Sequence, residues 1–481
     1  MTRIAGWPLE EICVMVLGVS LKNPLLMTAI PTSPVPVVVP SPDSELPGNI
    51  GFDPQNPPAP QLIDSCVHCG FCLSTCPSYR VLAQETDSPR GRIYLMDAIN
   101  QGQAQLDPIT RQHFDTCLGC LACVSACPSG VQYDRLIAAT RPQVERNVPR
   151  PLGDRLLRSL IFNLFPYPQR LALFLPFFWA YQKLGLQQLV RATGLLKRTV
   201  PQLAAMEEIL PALNSPLPPH NYPESIPAQG QCRYRVGVIL GCVQRLFFAD
   251  VNQATLQVLT ANGCEVVIPR HQGCCAALPA HQGQSQQAQT LARQMIDQFA
   301  DLELDFIVIN AAGCGHTLKD YGEILATDPV YGPKAEEFVA KVRDIHEFLL
   351  TIGLTAPLQA IAEEPLEVVY QDACHLLHGQ KISLQPRQLL SQIPGLVLKE
   401  PVDAALCCGS AGIYNLLQPQ IAEELGQQKV KNLLQTGAKV IASPNPGCAL
   451  QIQKYLHQQG HAVTVQHPIQ LLALAMERAA S

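Results

Sequence analysis

The chain has 481 residues, 47% of them hydrophobic, a length that suits about three domains with packed cores and excludes an intrinsically disordered protein. Lys and Arg number 34 against 39 Asp and Glu, a formal net charge of -5 with no concentrated basic stretch, so the electrostatic footprint of a nucleic-acid-binding protein is absent. Its nineteen cysteines, mostly in metal-ligand spacing, need a reducing compartment during assembly, which points to the cytoplasm.

Residues 1–54 read as an extended or disordered tail. The stretch from Ile12 to Val39 is apolar but broken by Lys22, Pro24, Pro31, Pro34 and Pro36. It mimics a signal sequence, yet its basic start is thin, and a tail from a start codon placed too early is an equal reading. Pro40 to Pro60 is rich in proline and polar residues, an extended lead-in. No uninterrupted apolar run of about eighteen residues occurs, so no transmembrane helix is expected.

Residues 55–145 hold eight cysteines in two copies of C-x2-C-x2-C-x3-C-P: Cys66, Cys69, Cys72, Cys76, then Cys117, Cys120, Cys123, Cys127. All four offsets are 51 residues, the mark of a duplicated site. Three thiolates at intervals of three residues wrap three corners of an iron-sulfur cube, and in two-cluster ferredoxins the fourth reaches across to the other cube. The expected ligand sets are therefore Cys66, Cys69, Cys72 and Cys127 for one [4Fe-4S] cluster, and Cys117, Cys120, Cys123 and Cys76 for the other. Structural zinc and a disulfide framework are the alternatives. The first uses separated Cys or Cys/His pairs, and the second belongs to small secreted domains.

The forty residues between Cys76 and Cys117 carry Ile93, Leu95, Met96 and Ile99 at mainly helical spacing, which predicts an all-helical ferredoxin domain instead of the short hairpins of compact ferredoxins. Arg90 and Arg92 either raise the cluster potential or pair with helix-end carbonyls. Residues 146–230 read as a helical connector with proline punctuation, closing in the linker LNSPLPPHNYPESIPAQG. Within it, residues 161–180 are strongly apolar and aromatic but punctured by Pro166, Pro168, Arg170 and Pro176. They are either core or partner-facing helices or a membrane-surface contact.

From residue 231 apolar runs alternate with amphipathic stretches. VGVIL (236–240), EVVIP and DFIVIN read as strands, with helices over Ala249–Ala261 and Ala288–Phe299; EVVYQ (367–371), LVLK (396–399) and KVIAS (439–443) repeat the pattern, with helices near 384–392 and 420–435. These are two α/β modules, 231–355 and 360–481, each with a parallel sheet. Cysteines mark the repeat. Cys242, Cys274, Cys275 and Cys314 are matched by Cys374, Cys407, Cys408 and Cys448 at offsets of 132, 133, 133 and 134. Each lies in a loop after a strand, and such loops converge on one crevice, so each module is expected to gather four sulfurs. Cys13, Cys232 and Cys264 fall outside both patterns and read as incidental thiols. His375 and His316 are either ligand, proton-donor or capping groups, or local hydrogen-bonding residues.

On these motifs the chain resembles the iron-sulfur subunit of glycolate oxidase (glycolate dehydrogenase), with relatives in the C subunit of anaerobic glycerol-3-phosphate dehydrogenase and the D subunit of heterodisulfide reductase. The residues that carry the resemblance are CVHCGFCLSTCPSYR (66–80), SPRGRI (88–93), CLGCLACVSACPSGV (117–131), NAAGCG (310–315), DACHL (372–376) and CCGSAG (407–412). The resemblance implies an electron-transfer subunit, part of an oxidoreductase acting on CH-OH donors, that passes electrons from an FAD-binding partner to a quinone-type acceptor. The substrate site then lies on that partner, and contact with the inner face of the membrane is a further implication. No G-x-G-x-x-G follows a strand here, which agrees with a flavin held elsewhere. Related modules often end C-x-x-C or C-x-x-G, whereas here they read Cys314-Gly-His-Thr and Cys448-Ala-Leu-Gln. A further cluster or metal and a structural or docking role therefore both stand for the modules. Lactate or glycerol 3-phosphate oxidation, and heterodisulfide or thiol reduction, are the rival activities.

Overall fold

The computed structural model describes residues 51–213, 215–218 and 221–480. The tail expected over 1–54 lies, except for its last residues, outside the described residues, as does Cys13.

Between residues 60 and 147 the described chain is helical, with α-helices Pro60–Asp64, Pro77–Leu82, Pro89–Asn100, Pro108–Asp115, Ala122–Ala126 and Tyr133–Asn147. Local signals account for the two helices that separate the cysteine motifs. Pro89 opens the first at a position that needs no N–H, and the Ser88 side chain accepts from Gly91 N. Asp107 and Thr110 form a capping box on the second. Ile93, Met96 and Ile99 face inward and pack with Phe114, Leu136, Ile137 and Val144. Gly91 is required there by close approach, since a Cβ would lie 1.9 Å from the Glu85 carbonyl oxygen.

The connector forms helices Leu152–Leu164, Pro168–Ala172, Leu175–Lys183, Leu186–Thr193, Leu195–Thr199 and Pro201–Glu208. Its apolar residues divide between two environments. Ile161 and Phe162 are buried against Ile413 and Leu416, whereas Leu173 and Phe177 are exposed. No helix among the described residues is long and apolar enough to cross a membrane.

Nine strands follow among the described residues: β1 Ser225–Ile226, β2 Tyr234–Ile239, β3 Cys264–Val267, β4 Phe306–Ile309, β5 Val342–Asp344, β6 Leu366–Tyr370, β7 Leu396–Lys399, β8 Val440–Ala442 and β9 Thr464–Gln466. The first sheet has the order β1-β3-β2-β4-β5 and the second β7-β6-β8-β9. All pairs are parallel except β1 with β3. The repeat holds at the level of register. Val236 faces Val266 and Phe306 in one sheet, and Val368 faces Leu398 and Val440 in the other.

One apolar core runs through both sheets' outer helices, joining Val236, Leu259, Phe348 and Leu349 with Val368, Leu389, Leu390, Leu472 and Met476. Helix Ala249–Ala261 packs on Pro468–Ala480, and Ile345–Ile352 packs on Leu384–Leu390. The first crossover helix of each module thus lies against the last helix of the other, a reciprocal arrangement of the kind that a two-fold axis produces. The strand ends that carry the cysteine loops are positioned by this shared core.

Candidate functional site: four groups of cysteines

The duplicated motif is duplicated in backbone conformation. The second and fourth residues after the leading cysteine are left-handed in both copies: His68 (φ 52°) and Gly70 (φ 89°), then Gly119 (φ 65°) and Leu121 (φ 63°). For His68 and Leu121 that conformation costs about 1–2 kcal/mol each, and strain of this kind persists where the surroundings over-determine it. Its effect is to turn peptide N–H groups inward. Gly119 N donates to Cys117 Sγ at 3.4 Å.

Cys76 lines one small cavity together with Cys117, Cys120 and Cys123, so the last cysteine of the first motif lies with three of the second. Arg92 and Tyr133 are also in its wall. On the other side, burial and then the neighbouring charges of Cys127 and Cys69 push the Cys66 thiol up, which puts the last cysteine of the second motif beside the first motif. The two groups differ in exposure. Cys69 is exposed, while Cys76, Cys117, Cys120 and Cys123 are buried.

Burial alone would raise the Cys117 thiol, but the guanidiniums of Arg92 and Arg141 and hydrogen bonds from Tyr133 and Gly119 outweigh it and hold it below its ordinary value. Arg92 is 1% exposed and donates to His113 O (2.6 Å), Ser78 Oγ (3.0 Å) and Thr116 Oγ1 (2.9 Å), with Asp87 at 3.6 Å. It therefore pairs with a helix-end carbonyl and also sets positive charge beside the sulfurs. Arg90 instead caps the other loop, donating to His68 O (2.9 Å) while paired with Glu85. Buried thiols, a buried cation, and N–H and O–H donors directed at sulfur are the surroundings that suit a thiolate-held iron-sulfur cluster, whose properties depend on charge and sulfur hydrogen bonds.

In the modules, Cys242, Cys374, Cys314 and Cys448 follow β2, β6, β4 and β8, and the two Cys pairs follow β3 and β7. The residue after each pair is left-handed, Ala276 (φ 67°) and Gly409 (φ 82°), so this turn also repeats. The sulfurs converge in both. Cys274 interacts with Cys242 and Cys275, and Cys275 with Cys314; in the second module Cys374 interacts with Cys407, Cys407 with Cys408, and Cys408 Sγ lies 3.1 Å from Cys448 Sγ. Donation from Cys274 and Cys314 holds the Cys275 thiol down despite its burial. Cys314 and Cys448 sit in the first turns of helices Ala312–Lys319 and Pro446–Gln458, and the hydrogen bond to Cys275 and then burial push the Cys314 thiol well up.

All eighteen described cysteines are free thiols, and among the described residues no group of three or more His, Cys, Asp or Glu is set to hold a single metal ion. Cys232 is exposed and Cys264 is buried, apart from every group of four.

Three histidines bridge the parts. His375 Nε2 is 2.9 Å from Gly119 O; its ring stacks on His281 at 4.6 Å and 17° and meets His316 edge-on at 4.8 Å. Burial first, then the charge of His316, lowers His375 to about 3, and burial lowers His316 to about 4, so both rings are neutral. His281 and Arg141 have no sequence signal of their own. Both are brought to Gly119 by the fold, their nitrogens 3.3 Å and 3.0 Å from a Cβ built there.

Family models match three parts of the chain: "4Fe-4S dicluster domain" over residues 62–131, "Glycolate oxidase iron-sulfur subunit, linker region" over 153–210, and "Cysteine-rich domain" twice, over 236–319 and 368–453. The chain is 37% identical over 398 residues to the "Probable glycolate oxidase iron-sulfur subunit" of Bacillus subtilis (strain 168), covering 82% of this chain and 89% of that one. It is 32% identical over 427 residues to the "Glycolate oxidase iron-sulfur subunit" of Escherichia coli (strain K12), covering 87% and 96%. "Lactate utilization protein A" of an Exiguobacterium species is 28% identical over 244 residues, 51% of this chain and 99% of that one. With the connector matched as well as both cysteine patterns, the chain belongs to the family of glycolate oxidase iron-sulfur subunits.

Proposed function

We propose that this chain is the iron-sulfur electron-transfer subunit of a multisubunit glycolate oxidase that converts glycolate to glyoxylate. A partner flavoprotein carries FAD and the substrate site, and the electrons leave through this chain to a quinone-type acceptor, at or near the inner face of the membrane. In this reading residues 55–145 are the ferredoxin domain, 146–230 the connector, and 231–355 and 360–481 the two cysteine-rich modules. Cys66, Cys69, Cys72 and Cys127 hold one [4Fe-4S] cluster, Cys117, Cys120, Cys123 and Cys76 the other, and the module cysteines hold a further iron-sulfur centre.

The observation that carries the reading is the single cavity shared by Cys76, Cys117, Cys120 and Cys123, with Arg92 and Tyr133 in its wall. When bound, the clusters supply one-electron relay at potentials set by charge, hydrogen bonding and exposure. The chain's own residues do the rest. Tyr133 and Gly119 direct hydrogens at Cys117 Sγ, from 3.6 Å and 3.4 Å, and Arg92 balances the thiolate charge in a site closed to water. Among the described residues no helix offers a membrane span, so contact with a bilayer would be peripheral.

Anaerobic co-purification with the flavoprotein partners, analysed for iron, sulfide and flavin and screened with glycolate, lactate and glycerol 3-phosphate, tests this. The expected result is iron and sulfide for at least two cubes, FAD on a partner chain, and dye reduction driven by glycolate. Iron-free protein overturns the electron-transfer role. Turnover with lactate alone would instead favour the activity named for the half-length relatives.

A further inference from the structure

The two cysteine-rich modules are built alike but do not meet the ferredoxin cysteines alike. Cys120 and Leu118 share one apolar cluster with Leu406 and Cys407, against which Cys374 packs. Burial and then the charge of Cys374 push the Cys120 thiol up, and Cys120 in turn acts on Cys407. The first module's cysteines lie in a different cluster, among Ile239, Ala292 and Tyr321. Cys274 and Cys314 respond to the cysteines of their own module.

Hydrogen bonds cross the first contact from Tyr414 to Thr116 O and between His378 and Ser125, and a third joins the neighbours of two cysteines, Gly119 before Cys120 and His375 after Cys374. Gly119 O can only accept, so the proton sits on Nε2 of His375, which donates at 2.9 Å. That carbonyl belongs to the Gly119–Cys120 peptide, and His375 follows Cys374 in the chain. From one cysteine to the other the path is covalent except for this bond. The ring has little freedom to leave it, because His281 stacks on one face and His316 abuts it. A Cβ on Gly379 would come within 2.8 Å of His316 Nδ1, so the neighbouring turn closes over the group as well. Neither His281 nor His316 has a counterpart in the second module, where Tyr414 and Leu450 stand at the equivalent spacing, and the first module has Val243 where the second has His375. The repeat of the two modules is broken at this junction.

We propose that His375 is a positioning residue that holds the Gly119–Cys120 peptide against Cys374, so that electrons leaving the Cys76, Cys117, Cys120 and Cys123 group enter the second module and not the first. This rests on the reading above, in which the first group holds a [4Fe-4S] cluster and the Cys374, Cys407, Cys408 and Cys448 group holds an iron-sulfur centre. One electron moves per event: the ferredoxin group is oxidised by one, the second-module group is reduced by one, no bond forms or breaks, and His375 keeps its proton. Low-dielectric surroundings favour such a fixed hydrogen bond over one exchanged with water.

The test uses the full chain purified anaerobically with its partners, comparing His375→Phe, His375→Gln, His281→Phe and Cys242→Ser. Iron and sulfide content, redox titration and power saturation of the reduced paramagnetic signals are measured in each. In the unaltered chain the ferredoxin signal should relax fast through coupling to the second-module centre. His375→Phe should keep its iron, lose most of that coupling and slow second-module reduction several-fold. His375→Gln, whose amide can donate to Gly119 O, should recover much of both, a rescue that loss of packing alone does not predict. His281→Phe and Cys242→Ser should leave the coupling in place. Unchanged coupling in His375→Phe, or its loss in Cys242→Ser, overturns the inference alone. An unaltered chain with no iron in the second module overturns the proposed occupancy of that module and the inference with it.

Discussion

Tyr414 of the second module donates its hydroxyl hydrogen bond to the carbonyl of Thr116, 2.9 Å away and one residue before the leading cysteine of the second ferredoxin motif. The pair is separated by 298 residues, and both partners are buried. It thus ties the start of a cysteine loop to a module formed much later in the chain. Tyr414→Phe keeps the ring in its apolar cluster and leaves the carbonyl without that donor, a loss of about 1–3 kcal/mol. Chemical denaturation of the anaerobic protein should show it, together with faster iron release from the Cys117 loop. An unchanged midpoint would mean that the loop is held by its other contacts.

Arg92 invites a sharper test because its charge, ahead of that of Arg141, holds the Cys117 thiol down against burial. Its guanidinium spans His113 O, Ser78 Oγ and Thr116 Oγ1, with the Asp87 carboxylate 3.6 Å away. Arg92→Leu leaves the buried Asp87 carboxylate to the Thr116 hydroxyl and the His113 ring, and removes one of the two guanidinium charges that oppose desolvation of Cys117. Breaking a buried pair in this way costs about 3–5 kcal/mol. Adding Asp87→Asn to the same chain should recover part of that cost, and the reduction potential of the remaining cluster signal should fall relative to the unaltered chain. A double variant as unstable as the single one would assign the effect to packing.

Arg92 also shows where sequence reading stops. Its two roles are both legible as alternatives, but its burial depends on Ser78, Thr116 and Tyr133 meeting around it, which no local pattern encodes. The long strands were legible because buried parallel strands are short continuous apolar runs, and β2, β6 and β7 fall within two residues of their expected bounds. β1, β5 and β9 have two or three residues each and lack the apolar run that marks the equally short β8 within KVIAS. Cysteine spacing revealed the repeat, and the matched registers of the two sheets bear it out. The reciprocal packing of Ala249–Ala261 on Pro468–Ala480 was not legible, since an amphipathic helix declares that one face is buried and not what covers it. For the same reason the His281, His316 and His375 group is a product of the tertiary fold alone.

Acid stability should report on a second buried ring pair. His467 is 5% exposed, stacks on His346 at 5.5 Å, and accepts from Ile469 N at 3.1 Å at the start of helix Pro468–Ala480. Burial first, then the charge of His346, holds it well below the ordinary imidazole value. A folded-state value below the unfolded one means that, as pH falls below about 6.5, the unfolded chain takes a proton that the folded chain refuses. Stability is therefore fully present above that pH and declines below it, by up to about 1.4 kcal/mol per pH unit for this one group. His467→Asn retains an oxygen to accept from the helix N-terminus but does not titrate. Its thermal midpoint should fall less steeply between pH 6.5 and 5 than that of the unaltered chain. Equal slopes would show that His467 does not bind a proton on unfolding in that range.

The difference in exposure between the two ferredoxin groups predicts the order in which iron is lost. Cys69 and Cys120 are the second cysteines of their motifs and share one backbone turn, yet Cys69 is exposed and Cys120 is 8% exposed beneath Leu118 and the second module. Oxidants and chelators reach a cluster through its exposed edge, so the Cys66, Cys69, Cys72 and Cys127 group should empty first. Air or a ferrous chelator applied to the reduced protein should release iron in two phases, the fast one amounting to about four irons if that group holds a cube. Cys69→Ser should remove or weaken the fast phase and leave the slow one, with little change in unfolding midpoint because the loop is already open to solvent. Cys120→Ser acts from inside an apolar cluster, and should abolish the slow phase while destabilising the contact with Leu406 and Cys407. Release in a single phase, or a fast phase that survives Cys69→Ser, would break the link between Cys69 and the exposed group.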